Sequence, residues 1–280
     1  MSKQAFHLRH SIRIIIAMGW ADFLLKYRGS VLGYCWSFLS PLGKFLVIYY
    51  VFGPFVSPDI QHYALYLFLG LIIWEHFIVT TTACMNMLED KAAIIQKIVF
   101  PRILLIFMVG WTNLLVFLTH LFIFMIFAWW ASIPMTYGLL YLPIIALNMT
   151  LVSLGVGMLL SSWCLKYRDI GHLWAIAVQL LFWLTPITYK LHAEPTIWKS
   201  IVHVFSRPLP HNFPAYLDLF VRYQPESIIM NDARRILLYP QTLGVPSVAH
   251  TLAVVSVCFV CFAVGAWVYQ RRSPYFPEEY

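Results

Sequence analysis

Ionisable side chains are scarce in this sequence. Asp, Glu, Lys and Arg together make up 11% of the 280 residues, against about 25% in ordinary soluble proteins. A chain with so little charge cannot cover a water-facing surface, which excludes a soluble globular fold. Carboxylates are nearly absent from the long apolar runs; Glu75, in "IIWEHF", is the clear exception, and Lys44 is the matching isolated cation. One of each gives thin support for a proton relay, which needs several such groups in series. No GxxxxGK[ST] segment occurs, so the chain has no P-loop in which to cradle ATP phosphates. HExxH is missing, as is GxSxG with triad partners, and no coherent set of carboxylates or histidines collects at one membrane face as a transferase would require. Cysteine is sparse too. Cys35, Cys84, Cys164, Cys258 and Cys261 sit in or beside apolar runs and read as small buried hydrophobes rather than disulfides. Cys258 and Cys261 form a CxxC, but without a His or carboxylate beside it to suggest a metal.

What the sequence has is apolar length. Hydrophobic residues make up 61% and aromatics 17%, and the mean hydropathy is +0.74. The composition predicts an all-α polytopic membrane protein with six transmembrane helices in one domain, 1–280. The predicted spans are Ser30–Phe55, Tyr63–Met87, Ile103–Trp130, Leu139–Cys164, Leu173–Tyr189 and Val248–Tyr269. Segment 1–29 is a cytoplasmic interfacial segment, 30–189 holds spans one to five, 190–247 is external, 248–270 is span six and 271–280 is a tail. Gln4–Tyr27 reads as a helix too charged to span, with Ile12, Ile15, Ile16, Gly19 and Phe23 on one side. Lys3, Arg9 and Arg13 before "IIIAMGWA" imitate a cleavable signal only loosely, because Asp22, Lys26 and Arg28 follow at once. The external segment carries Pro195, Pro208, Pro210, Pro214, Pro225 and Pro240, so it cannot be one helix. Within it "SIIMNDARRILLY" predicts a short amphipathic helix with Asn231, Arg234 and Arg235 on the polar side.

Lys and Arg set the orientation. Lys3, Arg9, Arg13, Lys26 and Arg28, then Lys91, Lys97 and Arg102, then Lys166 and Arg168, then Arg271 and Arg272 all fall on one side, while the short loops around Asp59 and Ile133 hold none. By the positive-inside rule both termini are cytoplasmic. The net charge of +7 is thus an orientation signal. A nucleic-acid partner would need a basic face on a folded soluble module, which is not present.

Candidate functional residues lie on the first span. On a helix advancing about 100° per residue, Tyr34, Phe38, Phe45, Tyr49 and Phe52 share a narrow sector. In span five, Phe182 and Tyr189 share a side, with Pro186 between them expected to kink the helix. Aromatic faces pack on the C–H faces of sugar rings, and tyrosine hydroxyls can bond sugar hydroxyls. The same stripe can equally pack on lipid or on neighbouring helices. Gly29 and Gly33 would permit close backbone approach, and Pro41 a bend.

The stretch "YRGSVLGYCWSFLSPL" (Tyr27–Leu42) resembles the first-span signature of ABC transporter permeases that export polysaccharide, O-antigen and teichoic acid. "QKIVFPRILL" (Gln96–Leu105), "LKYRDIGHLWAIAVQLLFWLTPITY" (Leu165–Tyr189) and "YQPESIIMNDARRILL" with the tail "RRSPYFPEEY" fit the same family in collinear order. The chain departs from it at Gln224, where the family commonly has Asn. It departs again at "LTPI", where Ser is usual, and in a longer external stretch around Arg207–Arg222. The resemblance implies a type-2 ABC exporter permease, not an enzyme, in the bacterial inner membrane. It implies a homodimer with two copies of a separate ATP-binding subunit, which holds the ATP and Mg, so this chain binds no cofactor or metal. It implies a polyprenyl-diphosphate-linked glycan as cargo, with Lys26 and Arg28 receiving the diphosphate and the aromatic stripe lining the path. It also implies coupling to the ATP-binding subunit through Leu88–Arg102 and Leu165–Gly171, with Lys97, Pro101, Arg102, Tyr167, Arg168 and Asp169 as contacts. Teichoic acid, capsule or another amphiphile, and a proton-coupled carrier, remain alternatives at this point.

Overall fold

The computed structural model describes residues 3–26, 33, 35–56, 60–90, 102–134, 136–164, 166–167, 169–190 and 213–272. The described residues form helices without strands: α1 (Lys3–Lys26), α2 (Cys35–Val56), α3 (Tyr63–Asp90), α4 (Ile103–Trp130), α5 (Leu142–Cys164, entered through a 3-10 turn at Tyr137–Tyr141), α6 (Ile170–Leu184), α7 (Phe213–Tyr223), α8 (Pro225–Leu237), the single turn α9 (Pro240–Leu243) and α10 (Val248–Arg272).

Five of these helices are long and apolar enough to cross a membrane: Cys35–Pro54, Tyr63–Met87, Ile103–Trp130, Tyr137–Cys164 and Val248–Arg272. The expected fifth span, Leu173–Tyr189, is different. Its helix starts earlier, at Ile170, and stops at Leu184. At about 1.5 Å per residue its 15 residues fall short of the roughly 30 Å hydrocarbon core. Pro186 therefore lies beyond the helix and does not kink it. The helix ends at Thr185, in extended backbone one residue before the proline, the conformation that a following proline favours. Tyr189 is consequently not on a helical face with Phe182; its hydroxyl turns back and donates to the Leu184 carbonyl at 3.0 Å.

The centre of the bundle is α3 and α5. From Tyr66 to Trp74 every residue of α3 is buried, as expected of a helix that is apolar all round. The approach of α5 to α10 is closer still, because a glycine stands on each. A Cβ added at Gly265 would lie 2.2 Å from the Gly155 carbonyl oxygen, and one added at Gly155 would lie 2.7 Å from the Cys261 oxygen. Small residues at such crossings let backbones touch where lipid supplies no hydrophobic drive.

The N-terminal helix packs on α4: Thr112 Oγ1 donates to the Gly19 carbonyl at 3.0 Å. Of the helical side formed by Ile12, Ile15, Ile16, Gly19 and Phe23, Gly19 is buried but Ile12 and Ile16 are exposed. With Trp20 and Leu24 they form an uncovered apolar stripe at four-residue spacing. Gly33 has φ +49° and an added Cβ would meet nothing within 4 Å. It supplies a left-handed turn ahead of α2 rather than a close approach. Cys35 is exposed rather than buried, and all five cysteines are free thiols.

The amphipathic helix expected in the external segment is present as α8, with Asn231 and Arg235 half-buried, but Arg234 of its polar side is turned into protein. Arg234 is only 2% exposed. It is buried because it serves backbone rather than water. Its guanidinium donates to the carbonyls of Pro186 (2.5 Å), Ile187 (2.8 Å) and Tyr66 (3.2 Å) and lies 3.4 Å above the centre of the Tyr66 ring.

Candidate functional site

Phe38, Phe45, Tyr49 and Phe52 of α2 are brought together as the helical spacing requires, and they face the bundle. Phe38 and Phe45 both meet Phe68 of α3, with ring centroids 5.9 and 5.4 Å apart. Tyr49 stacks on Tyr63 at 6.1 Å, and Phe52 meets Trp183 of α6 edge-on at 5.8 Å. Phe182 lies against Trp74 at 6.1 Å. All five are half-buried. Tyr34, Arg28 and the side chain of Lys26 lie outside the described residues, so the diphosphate contact is not seen.

Two features beside this stripe were not assembled from the sequence. One is an ion pair at mid-span: Lys44 Nζ lies 2.6 Å from Glu75 Oε2, with the lysine side chain 49% and the glutamate 17% exposed. The signal was present, because Lys44 is the lone Lys or Arg of its run and Glu75 the lone carboxylate of its own, but nothing in the sequence states that α2 and α3 are neighbours. The second is a half-enclosed cavity of about 230 Å³ between α2, α3 and α4, lined among others by Trp36, Ser40, Glu75, His76, Asn113 and His120. His76 stacks on Phe117 at 4.5 Å, with its Nε2 3.4 Å from Thr150 Oγ1. A second cavity, of about 310 Å³, opens beside Tyr49, His62 and Tyr63.

The residues expected to meet an ATP-binding subunit collect at the opposite end of the bundle. Arg102 precedes the first turn of α4 and Asp169 that of α6. Tyr167 is 54% exposed, with Lys166 Nζ 5.3 Å from its ring centre. Arg272, closing α10, reaches the Ser162 carbonyl at this end. Lys97, Pro101 and Arg168 lie outside the described residues. Among the described residues no group of three His, Cys, Asp or Glu side chains could hold a metal ion.

Five long apolar helices, two of them joined by an ion pair at mid-span, define a multi-pass membrane protein. The profile of the ABC-2 type transporter family matches residues 13–206, and the chain belongs to that family. It is similar to the O-antigen export system permease protein RfbA of Klebsiella pneumoniae, 26% identical over 223 residues, 78% of this chain and 84% of the relative. It is similar also to the RfbA permease of Myxococcus xanthus, 25% identical over 265 residues, 95% of this chain and 94% of the relative.

Proposed function

We propose that the chain is the channel-forming subunit of an ATP-driven exporter that moves a polyprenyl-diphosphate-linked polysaccharide, O-antigen foremost, across the bacterial inner membrane. It would act as a homodimer with two copies of a separate ATP-binding subunit. The observation that carries this reading is the end-to-end match to a relative named as an O-antigen export permease, covering 95% of this chain and 94% of the other. A fragmentary match would leave the loops and the external helices unaccounted for.

Physical features of the chain support the rest. Six crossings, both termini inside, need α6 to reach across with the turn that follows it. Thr185, Pro186, Ile187 and Thr188 are buried in protein, and irregular backbone at membrane depth is tolerated only under such cover. The bare apolar stripe of α1 suits a helix lying in the interface. Lys44 is half-exposed at the middle of α2, and a lysine turned to hydrocarbon there costs at least about 2.5–3.5 kcal/mol. That side of α2 therefore suits a second copy or a wet path better than lipid. In this scheme Lys26 and Arg28 receive the diphosphate, and Tyr34, Phe38, Phe45, Tyr49, Phe52, Phe182 and Tyr189 line the path of the glycan. Lys97, Pro101, Arg102, Tyr167, Arg168 and Asp169 transmit movement from the ATP-binding subunit.

The test is deletion of the gene in its source bacterium. Surface polysaccharide should vanish while its lipid-linked form accumulates inside. Complementation should need both this chain and an ATP-binding subunit competent to hydrolyse ATP. Export that continues without ATP hydrolysis but stops with the proton gradient would establish a secondary carrier instead. Undiminished export by a well-expressed protein with Tyr34, Phe38, Phe45 and Tyr49 all changed to Ala would remove the aromatic path.

A further inference from the structure

The cavity between α2, α3 and α4 carries an unusual combination of groups for the middle of a span. Asn113 is 5% exposed, and its amide nitrogen has no acceptor among the described residues. A buried donor left in that state is destabilising unless something in the cavity accepts from it. Across from it, Glu75 has one oxygen bonded to Lys44 and keeps further acceptor capacity. Ser40 adds a hydroxyl, the rings of His76 and His120 form part of the wall, and the Trp36 indole also lines the cavity, 54% exposed.

These groups discriminate among ligand classes. Glu75 is matched by Lys44, so the cavity has no net positive charge to hold a phosphate. Donors and acceptors are mixed, which suits hydroxyl groups, since each hydroxyl both donates and accepts. An aromatic face at the rim suits the C–H side of a ring. At about 230 Å³ the volume lies just under the roughly 300–1,000 Å³ of drug-sized sites, which leaves room for one ring and not a length of chain.

We propose that this cavity is a subsite for a single uncharged sugar ring of the exported glycan. The Asn113 amide and the Glu75 carboxylate read its hydroxyls, and Trp36 covers one face. The proposal rests on the glycan-export reading, and it places a specificity determinant away from the aromatic stripe.

Two measurements on the full exporter complex test it. In a Cys35→Ser background, Ser40→Cys should react with a water-soluble methanethiosulfonate reagent. A panel of methyl hexosides should slow that reaction, whereas glycerol phosphate should not. In the deletion strain, Asn113→Leu keeps the side-chain size and removes the amide. Export per molecule of permease should fall about tenfold, the effect of one lost hydrogen bond to a polar ligand, with abundance and capture of the ATP-binding subunit unchanged. Ser40→Phe, at an exposed position that does not threaten folding, should block the mouth and lower export in the same way. An unreactive Ser40→Cys, absence of protection by every hexoside, stronger protection by glycerol phosphate, or wild-type export by both Asn113→Leu and Ser40→Phe would each overturn the subsite. Failure of the glycan-export reading shows separately, as a wild-type complex that restores no surface glycan, and the protection assay then still decides whether the cavity takes a sugar.

Discussion

Replacement of Arg234 by Met should release α8 from the bundle. The guanidinium holds the carbonyls of Pro186 and Ile187, both buried in the turn after α6. Each carbonyl left without its donor costs about 1–3 kcal/mol, and loss of the desolvated contact with the Tyr66 ring adds about 2 kcal/mol. Against this, the variant no longer keeps a charge out of water, which returns several kcal/mol. The net local loss is about 2–4 kcal/mol, so amide exchange in Pro225–Leu237 should quicken about 30- to 700-fold, read from exchange of the complex in lipid nanodiscs. Exchange in α10 should change far less.

Gly70 sharpens the test. A Cβ there would lie 2.6 Å from Arg234 Nη2 and 3.3 Å from the Ile187 oxygen, so Gly70→Ala alone should also free α8 by displacing the guanidinium. Combined with Arg234→Met, the added methyl occupies space the arginine has left, and the two effects should sum to less than their separate values. Arg234→Lys should fall in between, because an ammonium lacks the planar fork and the ring stacking. Unchanged exchange in Arg234→Met, or strict additivity in the double variant, would refute the clasp.

Other outcomes follow from the same packing. Gly265→Ala, which gains roughly 1 kcal/mol in an isolated helix, should instead lower the midpoint of SDS-induced unfolding, since its methyl meets the Gly155 backbone. Burial raises Glu226, on α8, from 4.5 to about 6. The folded state therefore binds the extra proton, and the stabilisation is complete below about pH 4.5 and lost as pH rises through about 6, to the extent of about 2 kcal/mol. Exchange of α8, corrected for intrinsic rates, should quicken across that window, and Glu226→Gln should remove most of the change, leaving the smaller contribution of Asp232, which burial also raises. Lys44→Met should lower the amount of protein in the membrane by leaving Glu75 without its cation, and Glu75→Gln in the same chain should restore it, measured by quantitative blotting of membrane fractions.

The limits of sequence reading are visible in particular residues. The span Ile103–Trp130 is legible to the residue, because its apolar run starts after Pro101-Arg102 and ends where Ser132 turns with positive φ. The aromatic sector of α2 is legible for the same reason: angular position on one helix depends only on spacing. What lies opposite a residue is not encoded that way. Periodicity places Arg234 on a polar side, which is correct for the helix alone. The structure supplies a second polar surface, the open carbonyls at Pro186 and Ile187, that exists only because α6 stops at Leu184. Glu75, Lys44 and Asn113 likewise look like isolated defects in three apolar runs until the helices are side by side. In a membrane each polar group must find its partner within the protein, so a lone polar residue in a span announces a neighbour without naming it. The pairing of Lys44 with Glu75 names one. The Asn113 amide nitrogen is one of several buried polar atoms that have no partner among the described residues, and it shares the wall of the cavity between α2, α3 and α4 with Glu75, so a ligand hydroxyl there would meet a second polar contact beside the half-buried aromatic stripe.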